Sequence, residues 1–141
     1  MKKAISMTAV LFLLPVAAIA APPKMAPGLW ERTMTVAGTS FTDKECFSPE
    51  DVRQSPEDML RSEGEQTENC KATGKWQGNV YHFTSECSMP EEGVTMTTTG
   101  TMNFVSSTHM IHASETKSSV GGMSQTMNAK VDHKRIGDCT E

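Results

Sequence analysis

From Trp30 onwards, apolar and polar residues mostly alternate. A period of two is the spacing of a half-buried β-strand, not of a helix. Trp30, Met34 and Val36 share one parity, Ala37-Gly38 is a turn signal, and Thr39 to Cys46 reads as the returning strand of a first hairpin. The plainest stretch begins at Val94. Val94, Met96, Thr98, Gly100, Met102 and Phe104 fall on one face, and Thr95, Thr97, Thr99, Thr101 and Asn103 on the other. This predicts a core face backed by threonines in water. Ser106-Ser107 is expected to turn the chain so that Met102 meets Ile111 and Gly100 meets Ala113. A last strand follows Gly121-Gly122, with Met123, Met127, Ala129 and Val131 on a common parity. Bringing those residues to the face of Ile111 and Ala113 asks for an odd-length connection or a bulge, which adjacent glycines permit.

The period changes once, after Cys46. Ser48 is a capping residue, Pro49 suits a first helical position, and Glu50 and Asp51 favour the positive end of a helix; the same grammar recurs in Ser55-Pro56-Glu57-Asp58. Two short helical turns or one kinked helix are therefore expected over roughly 49–61. The polar, acidic stretch from Arg61 to Asn69 reads as a mobile loop.

Gly78-Asn79 supplies the sharpest pairing. A two-residue turn there sets Trp76 opposite Tyr81, Gly74 opposite Phe83, Ala72 opposite Ser85 and Cys70 opposite Cys87. One register thus matches aromatic with aromatic and cysteine with cysteine. It selects Cys70–Cys87 from three connectivities and leaves Cys46–Cys139, a bridge that closes almost the whole domain. The fold expected is all-β and mainly antiparallel. Consecutive hairpins make a meander of about seven or eight strands, a curved sheet or partly closed barrel with one helical insertion.

The start of the chain has a different character. Met1-Lys2-Lys3, an apolar run from Ala4 to Ala17, and Ala18-Ile19-Ala20 before Ala21 read as a secretory signal peptide over residues 1–20, leaving a single domain over 21–141. Loss of Lys2 and Lys3 takes the net charge from −4 to −4 − 2 = −6, which argues against nucleic acid or an anionic membrane as partner. No later stretch reaches the ~18 apolar residues of a spanning helix, and no cysteine follows the signal as a lipid acceptor, so the product is expected to be periplasmic or secreted rather than membrane-embedded. Leu, Ile, Val and Phe are few for a folded chain of this charge. The nine Met beyond residue 20 and four Cys compensate, giving a thin core with covalent staples.

Met25-Ala26-Pro27-Gly28-Leu29-Trp30-Glu31, Cys46-Phe47-Ser48-Pro49-Glu50-Asp51, the middle cysteines, and Arg135-Ile136-Gly137-Asp138-Cys139 occur here in one order. Together they resemble the bacterial family named domain of unknown function 3617, over nearly the whole mature chain. The usual basic pair before the last motif stands here as Lys134-Arg135. The resemblance implies a small exported protein, mostly of Gram-negative bacteria, with four cysteines and a Met- and Thr-rich β body. It implies no activity.

Chemistry-bearing residues narrow the functional classes. There is no C-x-x-C, no nucleophile elbow and no phosphate-cradling glycine loop, so no enzyme and no cofactor is expected. Met96, Met102, Met123 and Met127 take positions that the alternation assigns to the core. His109 and His112, three apart on a strand, face opposite ways and cannot hold one ion together; His82 lies opposite the Tyr81 and Phe83 face, and His133 shares the parity of Val131. A cross-strand metal site would use His109 or His133 with a nearby Met. Trp30 either anchors the core or lines the mouth of the sheet, and Trp76 beside Tyr81 is a contact device near a hairpin tip. The leading expectation is a non-catalytic binding or interaction module. Its concave side, with Trp30, Trp76, Tyr81, Met96 and Met102 as contacts, takes a small apolar ligand or a segment of an envelope protein. The alternatives are a copper- or silver-handling protein using Met and His, and a purely structural envelope protein.

Overall fold

The computed structural model describes residues 21–62 and 69–140. Residues 1–20, read above as a signal peptide, and most of the expected acidic loop lie outside the described residues. Seven strands form one antiparallel sheet: β1 (Gly28–Val36), β2 (Thr39–Phe47), β3 (Cys70–Gln77), β4 (Val80–Met89), β5 (Val94–Ser106), β6 (His109–Val120) and β7 (Met123–Gly137). Their spatial order is β2-β1-β7-β6-β5-β4-β3. The last strand returns to pair with the first, yet β2 and β3 stay apart as edges, so the sheet is open and not a barrel.

This topology gives the helical insertion its place. Strands β2 and β3 are consecutive in the chain and lie at opposite edges, so the chain between them must pass from one edge to the other. The described start of that crossing, residues 48–62, lies on the inner face. A 3-10 turn (Asp51–Arg53) and helix α1 (Pro56–Ser62) carry Leu60, 1% exposed, onto that face. Both starts are capped as their sequences require: Ser48 Oγ accepts from the Asp51 N–H at 3.2 Å, and Ser55 Oγ from the Asp58 N–H at 3.2 Å.

The central hairpin has the register set by Gly78-Asn79, with Trp76 opposite Tyr81 and Cys70 opposite Cys87. Cystines join Cys70 to Cys87 and Cys46 to Cys139, with Cα separations of 4.0 and 5.6 Å. The core is one cluster on the inner face, where Trp30, Tyr81, Phe83, Met102, Phe104 and Met110 meet Leu60 and Met25. Two glycines make room for its aromatic rings. A Cβ on Gly74 would stand 2.3 Å from the Tyr81 ring, and one on Gly100 would stand 2.6 Å from the Phe83 ring.

The structure corrects three details of the strand reading. Met102 pairs with His112 and Gly100 with Ser114, not with Ile111 and Ala113, because the turn is Ser107-Thr108 and a bulge at Val105 shifts the register by one. The inner residues of β6 are therefore Met110, His112 and Ser114. No bulge is needed at Gly121-Gly122, where Val120 pairs directly with Met123. Finally, Met123 and Met127 do share the inner parity but are 71% and 51% exposed, because no described residue of the insertion covers that end of the sheet.

Candidate functional site

Alternation along five strands delivers one cluster of unlike side chains to the inner face. Asp43 on β2, Arg32 on β1, His133 on β7, Met110 on β6 and Phe104 on β5 form a single cross-strand row. In the next row, Met102 stands opposite His112. The insertion roofs these rows and encloses a cavity of about 410 Å³. Sheet residues Arg32, Met102, Met110, His112 and His133 form its floor, and Val52 and Met59 of the insertion face them.

The charged groups at the rim are engaged with one another. Arg32 donates from Nε to Asp43 at 2.9 Å and lies 2.6 Å from a Glu45 carboxylate oxygen. The Arg32 hydrogen bond holds the Asp43 carboxyl below the usual carboxylate range. Asp51 accepts from the Ser48 N–H at 2.8 Å.

The histidines differ. Nε2 of His112 and Nδ1 of His133 are buried and meet no hydrogen-bond partner among the described residues. Burial lowers the pKa of both, and for His133 the positive charges of His112 and Arg32 add to it, taking the value down to about 4. Both rings are neutral at pH 7. The His112 ring also stands edge-on to Phe83, with centroids 5.5 Å apart.

A second cavity of about 510 Å³ lies on the other side of Met25, Val52 and Gln54, which line both. Proline-rich residues 21–27, Pro49, Pro56, Trp76 and Phe104 make it the more apolar of the two. The N-terminal segment is tied there by the Ala26 N–H to the Ser107 carbonyl at 2.7 Å, and by Arg135 Nε to the Pro27 carbonyl at 2.7 Å.

The family described as protein of unknown function (DUF3617) matches residues 25–139, most of the chain. The chain belongs to that family. No curated protein and no solved structure matches it.

The residues singled out in this DUF3617 chain separate on folding. Met102 and His133 come together in the first cavity, and Trp76 lines the second. Trp30 is wholly buried; its Nε1 donates to the Ala26 carbonyl at 3.0 Å and its ring packs edge-on against Phe47. Tyr81 is buried too, its hydroxyl bonded to Glu57 and its pKa pushed up to about 12, by burial first and that carboxylate second. Half-buried Met96 lies in a shallow depression beside the Cys70–Cys87 cystine. His109 sits on the outer face, 2.9 Å from Asp132. Sequence reasoning missed His112, because the β6 register expected from a two-residue turn put Ile111 inward and His112 outward. Its signal was Met110, whose inward placement carries His112 with it.

Proposed function

We propose that this DUF3617 protein is a non-catalytic binding module that holds a small guest in the roofed cavity between the sheet and its helical insertion. The observation that carries the reading is the cavity itself. In a domain this short of large apolar residues, about 410 Å³ is left open beside the core instead of filled. That volume lies within the usual range for small-molecule sites, roughly 300–1,000 Å³. Thioethers of Met59, Met102 and Met110 supply an adaptable apolar wall, and the two histidines supply polar groups with hydrogen-bonding capacity unused among the described residues. Two cystines argue for an oxidising, exported compartment. Together with the basic and apolar residues 1–20, they support delivery by a signal peptide to the periplasm.

The test uses N-phenyl-1-naphthylamine, a neutral apolar dye that brightens out of water. The folded, oxidised protein should take it up, and Met59→Trp, at a position that lines the first cavity and not the second, should abolish uptake while the exposed Met127→Ser leaves it unchanged. No uptake by the unaltered protein, or equal uptake by Met59→Trp, defeats the reading.

A further inference from the structure

Four donors with one chemical character converge on the floor of the cavity. Met102 of β5 and His112 of β6 stand directly opposite each other, as do Met110 of β6 and His133 of β7. Directly opposed side chains on a sheet have Cβ atoms about 4.5–5.5 Å apart, and Met110 and His112 are same-face neighbours on one strand. Two imidazoles and two thioethers thus occupy one compact patch across three adjacent strands, and all four line the same cavity.

We propose that this patch, His112, His133, Met102 and Met110, is a binding site for a soft monovalent cation, Cu(I) or its analogue Ag(I). The inference rests on the cavity reading and names the guest of its floor.

The donor set selects the ion. Thioethers are soft ligands that favour Cu(I), and imidazole also suits copper. No trio of His, Cys, Asp and Glu gathers among the described residues, so the patch lacks the donors that zinc or calcium sites use. The imidazoles have the required lone pair. His133 is 8% exposed, and a ring nitrogen of each histidine is buried without a hydrogen-bond partner among the described residues. A buried polar group is ordinarily paired, and a neutral imidazole carries a lone pair on one of its two ring nitrogens, the group that would ligate a metal ion. Arg32 stands opposite His133 and opposes a cation there, and two carboxylates in the same lining, Glu45 at 2.6 Å from Arg32 and Asp51, counter that charge.

The experiment is competition for Cu(I) against bicinchoninate under anaerobic ascorbate, a reductant that leaves both cystines intact and so creates no thiol ligands. One Cu(I) per chain is expected. Its affinity should fall at least about tenfold in Met102→Leu/Met110→Leu and in His133→Gln, and should hold in Met123→Leu/Met127→Leu, which alters only exposed thioethers. Met-to-Leu exchange conserves volume, so the fold survives the test. In the unaltered protein, Ag(I) should shift the ring resonances of His112 and His133 and spare those of His82 and His109. Equal affinity in the core and surface variants, or ring shifts at His82 or His109 instead, overturns the assignment. Dye uptake without Cu(I) binding refutes the cation site alone, whereas absence of both refutes the cavity reading as well.

Discussion

Met102 and Met127 have the same side chain and the same inner parity, yet one is 2% exposed and the other 51%. The first lies under the insertion with Trp30, Phe104, Met110 and His133; the second lies where β6 and β7 run on past that cover. Alternation decides which face of a strand a residue occupies, and burial is decided by what lies on that face. In this protein the cover is the described part of the crossing from β2 to β3, residues 48–62, which lies over only part of the sheet. The two ends therefore differ in energetics and in chemistry: thin polar surroundings at one, a core and a cavity with two neutral histidines at the other.

The covered end should carry most of the stability. Trp30→Ala removes a fully buried ring and its Nε1 bond to Ala26, and should cost about 3–5 kcal/mol in urea unfolding. A cost under about 1 kcal/mol would mean that the cover is not where the fold is held together.

The histidines make the same end sensitive to acid. In the metal-free protein, His133 faces Arg32 on β1 and Met110 on β6, with His112 diagonal to it, Asp43 beyond Arg32, and Glu45 and Asp51 at the cavity rim. Its folded pKa of about 4 lies below the ordinary 6.5, so between these values the unfolded chain binds the extra proton. Stability is full above pH 6.5, declines as pH falls towards 4, and levels off for this group below that. The loss is on the order of 3 kcal/mol from His133. His133→Phe should flatten that slope in a pH series of unfolding midpoints; an unchanged slope would assign the acid sensitivity elsewhere.

Gly100 marks the border between the two ends. An added Cβ would meet the Phe83 ring at 2.6 Å and the Ala113 carbonyl at 2.7 Å, and backbone cannot swing aside as a side chain can. Gly100→Ala should lower stability by about 1–3 kcal/mol. A neutral outcome would show that Phe83 has room to withdraw, which the thermal midpoint and the Phe83 ring resonances together would reveal.

The smallest effect belongs to the open end. Met127→Ala should change stability by no more than about 0.5 kcal/mol. A larger loss, growing with protein concentration, would mean that a second molecule covers this end in solution.

Much of this fold is legible in the chain because its signals are local. Gly78-Asn79 specifies a two-residue turn, and that turn alone determines the pairing of Trp76 with Tyr81 and of Cys70 with Cys87. Ser48 and Ser55 announce the two helical starts by chemistry that acts within four residues. The β5–β6 register was harder to read. A single bulged residue, Val105, inverts the facing of every later residue in β6, and nothing in Ser106-Ser107-Thr108 distinguishes a bulged turn from a plain one. His112 changed sides on that one residue, and half of the candidate site changed with it.

What the sequence by itself determined is the set of periods, turns and caps, and through them seven antiparallel strands with an inner and an outer face. These follow from dihedral preferences and hydrogen bonds between near neighbours. What only the tertiary structure decided is that the sheet stays open, that β2 and β3 become opposite edges, and that the chain must pass between them. That crossing turns one part of an alternating face into core and cavity and leaves the other in water. Burial and pKa are properties of what surrounds a group in three dimensions, so the neutral pair His112 and His133 came into being only when the insertion closed over the sheet.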